Sequence, residues 1–244
     1  MTIPRLPLRE AIAKAETKGR YTRRVFATIA DRYDLVNVVL SFNRDQAWKR
    51  RFVAQADPHT GEMALDLACG TGDIAFPVAA RGARVVGLDI TPQMIALARA
   101  KAARPGCNPR FLVGDMMRLP FVPGTFDLVT TGYGIRNVPD LRRALGEVHR
   151  VLKPGGRFFS LDFNRPANRL ARAAYLGYLT VIGSAIGWLV HRDPDTYRYI
   201  AETVRVHPGG PAVAALLTEA GFERAHYGPV FGGFMAIHSA VKGS

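Results

Sequence analysis

The stretch from Met63 to Ala75, MALDLACGTGDIA, followed by VVGLD at Val85 to Asp89, restricts the fold more than any other part of the chain. Its apolar run reads as a buried parallel strand that stops at a Gly-x-Gly turn and opens directly into a helical pattern. Gly70 and Gly72 permit a tight turn and a close backbone approach to a ligand, and the first N–H groups of the new helix supply donors. Asp89 ends the next strand, where a carboxylate accepts both hydroxyls of a ribose. The arrangement predicts an adenosine ligand at the carboxyl edge of a parallel sheet.

GTGDIA also satisfies Gly-x-Gly-x-x-Ala, the looser form of the dinucleotide fingerprint. Asp66 argues against a dinucleotide, because a carboxylate four residues before Gly70 faces the place where a pyrophosphate would lie. The same carboxylate suits S-adenosylmethionine, which carries an ammonium and a sulfonium in place of phosphates. A third acid, Asp115 in FLVGDMMRLPF, follows the strand near Arg110 to Val113 and can accept from an adenine amino group, with Met116 against the ring. Each acid also has a plainer reading: Asp89 as a helix-start residue and Asp115 as a turn residue. Cys69, between strand and turn, reads as a packing residue.

The pattern continues as strand 63–68, helix 73–80, strand 84–89, helix 93–103, strand 110–113, strand 126–131, helix 140–151 and strand 156–163. Such alternation implies a parallel, doubly wound α/β sheet. KPGG at Lys153 to Gly156 turns helix into strand, and segments 222–227 and 232–241 read as a hairpin that brings an antiparallel strand to the sheet edge. Before the sheet, Arg24 to Tyr33 and Arg44 to Phe52 read as helices joined by the turn VLSFNRD, behind a mobile basic head. The division expected is an N-terminal segment over 1–57 and one domain over 58–244, with a helical lid insertion at about 166–205.

The 244 residues carry a formal net charge of +13. That field favours polyanions, and without a basic strand interleaved with aromatics the anionic face of a membrane is expected rather than nucleic acid. Two cysteines make no disulfide framework, no His/Cys cluster has metal-ligand spacing, and the N-terminus lacks a signal-peptide core. A cytoplasmic protein at the inner membrane face is expected, with no metal; a homo-oligomer is left open. Ala173 to Val190 is free of charge over 18 residues. Spanning would separate the last two strands from their sheet, so this segment is expected to pack over the site and form part of a greasy substrate cleft.

Beyond the glycine loop, narrower segments carry a resemblance: FATIADRYDLVNVVLSFNRDQAWK, YGIRNV at Tyr133 to Val138, RVLKPGG with LDFNRP, YRYIAETV, AGFERAHY and GGFMAIHSAVK. In these the chain resembles the UbiE-type ubiquinone/menaquinone biosynthesis C-methyltransferases from about Val25 onward. The resemblance implies a Rossmann-like, seven-stranded class I S-adenosylmethionine-dependent methyltransferase with added N-terminal helices. It also implies a polyprenylated quinol methylated on ring carbon. Cofactor contacts are implied at Thr71, Asp89, Asp115 and Met116, with a backbone contact at Gly132. Two motifs depart from the family: LSFNRDQAWK lacks the usual glycine and histidine before Trp48, and DFNRP replaces EFxKP.

Methyl transfer to an aromatic carbon needs a deprotonated quinol and exclusion of water. Arg136 is expected to stabilise the developing phenolate and Asn137 to orient the hydroxyl. The alternatives are a salt bridge from Arg136 to Asp140 or Asp162 and a helix-capping role for Asn137. Tyr33 and Tyr197 read as cleft walls or hydroxyl partners, or as core aromatics. His149 reads as structural, and His238 as a general-base candidate.

Overall fold

A computed structural model describes residues 7–32, 44–103 and 109–244. Tyr33 and most of the VLSFNRD turn lie outside these residues. Seven strands form one sheet: β1 (Met63–Leu67), β2 (Arg84–Asp89), β3 (Arg110–Val113), β4 (Phe126–Gly132), β5 (Leu152–Phe163), β6 (Phe222–Val230) and β7 (Met235–Lys242). Their order is β3-β2-β1-β4-β5-β7-β6. β1 pairs in parallel with both β2 and β4, while β7 runs antiparallel between β5 and β6. The order reverses at β1, so a crevice opens between the carboxyl ends of β1 and β4, the usual place for a ligand in such a sheet.

Helices cover both faces, because every strand of a parallel sheet must be buried on two sides. On one face α3 (Asp45–Ala56), α4 (Ala75–Ala79) and α5 (Pro92–Ala102) contribute Phe52, Val78 and Ile95 to a core with Phe111 and Leu128. On the other, α6 (Leu141–Val151) and α9 (Gly210–Glu219) bury Leu145, Val148, Val213 and Leu217 against Leu65 and Phe158. α6 forms where the sequence predicts it: Asp140 Oδ1 accepts the Arg143 N–H at 3.0 Å as an N-cap, and Ala144, Leu145, Val148 and Val151 make one buried stripe.

Two expectations are corrected. From Leu8 the basic head forms α1 (Leu8–Ala13) and α2 (Ala15–Ile29), because Leu8, Ile12, Val25 and Ile29 pack with Met94, Tyr197 and Tyr199; its first six residues lie outside those described. The apolar segment becomes α7 (Arg169–His191), capped by Asn168, which accepts from Leu170 and Ala171. It packs on α8 (Asp195–Val206) through Leu179, Ala201 and Val204 and contributes nothing to the wall of the cleft described below. By length and composition α7 is apolar enough to cross a membrane, and only 17% of its most apolar window is buried, unlike a helix of a protein core.

Candidate active site

A cavity of about 570 Å³ opens at the β1–β4 crevice. This volume suits a nucleoside-sized ligand. Its floor is Ala68, Gly70, Asp89, Asp115, Met116, Gly132 and Tyr133 at strand ends, and its roof is Gly19, Arg20, Thr22, Arg23 and Phe26 of α2. α2 is held on the loop after β4 by Lys18, whose Nζ donates to the Val138 carbonyl at 2.8 Å. Burial, with Arg136 nearby, lowers the Lys18 pKa to about 8.

Two non-glycine residues at the crevice take left-handed backbone, Ala68 (φ 50°) and Tyr133 (φ 59°). Each such conformation costs roughly 1–2 kcal/mol, and strain of this kind gathers where a chain end must face a ligand. Gly72 (φ 94°) cannot carry a side chain, since a Cβ there would lie 2.6 Å from the Phe76 ring.

Asp89 binds the loop and the next helix together. Its Oδ2 accepts the Gly70 N–H at 3.0 Å and its Oδ1 the Thr91 N–H at 2.8 Å. The helix-start role and a position on the cavity therefore coexist in one side chain. Burial raises its pKa above the ordinary carboxylate range, opposed by those two amides. Asp115 likewise lines the cavity while its Oδ1 accepts the Met117 N–H at 2.9 Å, as in the turn reading.

Asp66 sits below the rim rather than on it. It lines a small pocket under the glycine loop, shared with Lys49, Thr71 and Asp73, that meets the large cavity at Ala68, Gly70, Gly132 and Tyr133. Asp66 is 1% exposed, its Oδ1 accepts from the Thr130 hydroxyl at 2.9 Å, and its Oδ2 has no well-formed hydrogen bond among the described residues. Burial raises its pKa to about 7, against the opposing pull of the Thr130 hydroxyl and the Ala75 amide. A buried carboxyl whose Oδ2 makes no well-formed hydrogen bond among the described residues fits the ammonium and sulfonium of S-adenosylmethionine. A pyrophosphate fits poorly, because Asp89 already takes the Gly70 amide. Thr71 lies in the same small pocket, where its hydroxyl accepts from Lys101 Nζ at 2.9 Å.

The two residues expected to act on the acceptor part company. Arg136 is turned away from the cavity wall: Nη1 donates to Asp162 Oδ1 at 2.9 Å and to the Tyr133 carbonyl at 2.8 Å, with the guanidinium over the Phe163 ring. Of the two salt bridges weighed from sequence, the Asp162 one forms. Asn137 lines the cavity but caps no helix; it ends the short 3-10 turn Ile135–Asn137, and Asp140 caps α6 instead. Its Nδ2 donates to the Tyr133 carbonyl and its Oδ1 accepts from the Tyr199 hydroxyl, both at 2.9 Å. The Tyr199 hydroxyl in turn lies 2.7 Å from Thr22 Oγ1 of the roof. Burial raises the Tyr199 pKa to about 12.

Sequence reasoning missed Tyr199 and the α2 roof. The 3- and 4-residue spacing of Thr22, Val25 and Ile29 was the available signal for α2; nothing local marks Tyr199. The other candidates fall outside the cavity wall. Tyr197 packs in the α1–α2–α8 core and meets His191 at 3.0 Å, His149 meets the Phe222 ring edge-on, and His238 is buried against Ser160. Burial lowers the His238 pKa to about 4.

Seven strands with the last reversed, around a cleft whose acids suit a cation, define the class I methyltransferase fold. A SAM-dependent methyltransferase of Thermotoga maritima shares it at a TM-score of 0.66, with 18% identity, over 91% of this chain and 99% of that one. The ubiE/COQ5 methyltransferase family model matches residues 14–242, and the chain belongs to that family. Relatives include the ubiquinone/menaquinone biosynthesis C-methyltransferase of a Marinomonas species, 36% identical over 93% of this chain and 92% of that protein. The demethylmenaquinone methyltransferase of Thermus thermophilus is 42% identical over 88% of this chain and 98% of its own length.

Proposed function

We propose that the protein methylates a ring carbon of a polyprenylated quinol at an anionic membrane surface, in menaquinone biosynthesis, ubiquinone biosynthesis or both. The observation that carries the reading is a family match over nearly the whole chain, joined to buried carboxylates around a nucleoside-sized cavity. When bound, S-adenosylmethionine supplies an already activated methyl group, transferred to the ring carbon as the ring proton is lost. Asp66 is assigned to the cationic end of that ligand, Asp89 to the ribose hydroxyls, and Asp115 with Met116 to the adenine; Thr71, Gly70 and Gly72 shape the loop around it, and Gly132 at the end of β4 is assigned a backbone contact.

Toward the acceptor, Asn137 holds the quinol oxygen. Its amide is fixed in one orientation because Tyr199 donates to its oxygen while its nitrogen donates to Tyr133. The remaining Nδ2 hydrogen is then free to donate to an acceptor oxygen and stabilise charge growing there. Arg136 supports this by anchoring the Tyr133 carbonyl and Asp162, so its effect on the phenolate passes through the loop. Loss of the α2 roof would admit water, which competes with the ring carbon for the donor.

Quinone profiling of cells lacking the gene tests the assignment. A quinone short of one ring methyl should accumulate, and its ring system names the substrate. An unchanged quinone pool would overturn it.

A further inference from the structure

We propose that α7 docks in the plane of an anionic lipid bilayer, with one defined stripe of its surface buried in the headgroup boundary. This rests on the reading of a lipid-tailed acceptor at a membrane surface and names the element that makes the contact. Helices of water-soluble proteins turn polar side chains outward. α7 does the reverse: Leu170, Ala174, Gly177, Val181, Ala185 and Trp188 recur at intervals of three and four, and all are exposed. Leu170 is 82% and Val181 66% exposed. The stripe runs about 28 Å at the α-helical rise. An uncharged outward face of this length marks a partner surface rather than scattered exposed side chains.

The opposite face is committed to the protein. A Cβ at Gly187 would sit 2.5 Å from the Asp193 carbonyl, and one at Gly183 3.0 Å from the Tyr197 carbonyl, so the helix is seated on its neighbours by close backbone contact. Spanning a bilayer would break that seat, whereas lying in the interface keeps it and immerses only the stripe.

Charge selects the occupant. From Arg165 to Arg192 the chain carries Arg165, Arg169, Arg172 and Arg192 and no acidic residue. Arginines flank both ends of the stripe, and the Arg192 guanidinium lies over the Trp188 ring, a pair suited to the headgroup level. With a net charge of +13, a face of this kind meets an anionic bilayer with favourable electrostatics as well as apolar burial. α7 rests on α8, and α8 supplies Tyr199 to Asn137 in the cavity, so the lipid face stands one helix away from the proposed acceptor site.

The test compares the whole protein with the V181E/A185E variant in vesicle flotation. Vesicles are phosphatidylcholine alone or phosphatidylcholine with about 30% phosphatidylglycerol. The protein is expected to float with the anionic vesicles, with a blue shift of tryptophan emission that W188F abolishes. The double variant is expected to lose roughly tenfold or more of the partitioning, while its melting temperature, its S-adenosylhomocysteine affinity and its turnover of a short-tailed, water-soluble quinol stay unchanged. Equal flotation of the two proteins overturns the proposal. So does a dimer, seen by sedimentation without lipid, that the double variant dissociates, since a second copy would then cover the stripe. If neither protein methylates the short-tailed quinol, the acceptor reading fails, and flotation alone decides the role of α7.

Discussion

The Asp89 carboxylate accepts the Gly70 N–H at 3.0 Å, tying the end of β2 to the loop that follows β1. The glycine loop is thus held by an acid instead of offering its amides to phosphate. Asp89→Ala should raise the dissociation constant for S-adenosylhomocysteine by tenfold or more, because a charge-assisted pair of ribose hydrogen bonds contributes about 1.5–3 kcal/mol. Titration calorimetry checks it; unchanged affinity would contradict the ribose assignment.

Asp66 makes affinity and stability pull against each other. Its folded pKa of about 7 lies above the ordinary carboxylate value of 3.8, so the folded ligand-free protein holds this proton more tightly than the unfolded chain. Stability from this group is present at low pH and is lost as pH rises from about 4 through about 7. Asp66→Asn should therefore melt higher than the parent by a margin that widens between pH 5 and pH 8, while binding the donor more weakly. A margin independent of pH would contradict the buried, ionisable state.

Tyr199 should act on the acceptor half-reaction alone. Tyr199→Phe removes one hydrogen bond to Asn137, worth about 1 kcal/mol, and should lower kcat roughly fivefold to tenfold with donor affinity unchanged. Asn137→Ala should cost more than Tyr199→Phe, and the double variant no more than Asn137→Ala. Additive losses would show that the two residues do not work as a unit.

Arg136 and Asp162 are 4% and 0% exposed in their side chains, so removing one partner leaves a buried charge alone. Arg136→Ala should destabilise the fold by about 3–5 kcal/mol, and activity should fall with the folded fraction. Thermal melts and turnover at a temperature where the variant is folded separate the effects. A stable variant with turnover reduced a hundredfold would instead place the guanidinium on the acceptor oxygen.

His238 should remain neutral through the physiological range. Its folded pKa is about 4 against 6.5 for the free side chain, so the stability it protects is present above pH 6.5 and is lost as pH falls toward 4. Titration of its ring resonances by NMR should show no protonation until about pH 4. A midpoint near 6.5 would contradict its burial and make it available as a base.

The sheet and the glycine loop were legible because both are local: apolar runs, a Gly-x-Gly turn and acids at strand ends recur within a few residues of one another. The roof was not. α2 carries five charges between Glu16 and Arg24, and its docking depends on Lys18 meeting Val138 and Gly19 closing on Pro139, contacts made only after the chain has folded. Asn137 and Tyr199 stand 62 residues apart, and no spacing rule links them. Hydropathy revealed that α7 is apolar all round, but periodicity alone does not say which apolar face a protein keeps for itself. Asp66 was placed at the right strand end, and only burial distinguishes a carboxyl beneath the loop from one on the rim.

The most direct test of the account is transfer of a labelled methyl group. The protein is incubated with S-adenosylmethionine carrying a carbon-13 methyl and a demethylated polyprenyl quinol, and the product is read by NMR. Label is expected in a methyl bonded to ring carbon, reduced in Asp89→Ala at donor concentrations below saturation and reduced in Asn137→Ala at saturating donor. Label in a methoxy group, or turnover with an RNA and none with the quinol, would contradict it.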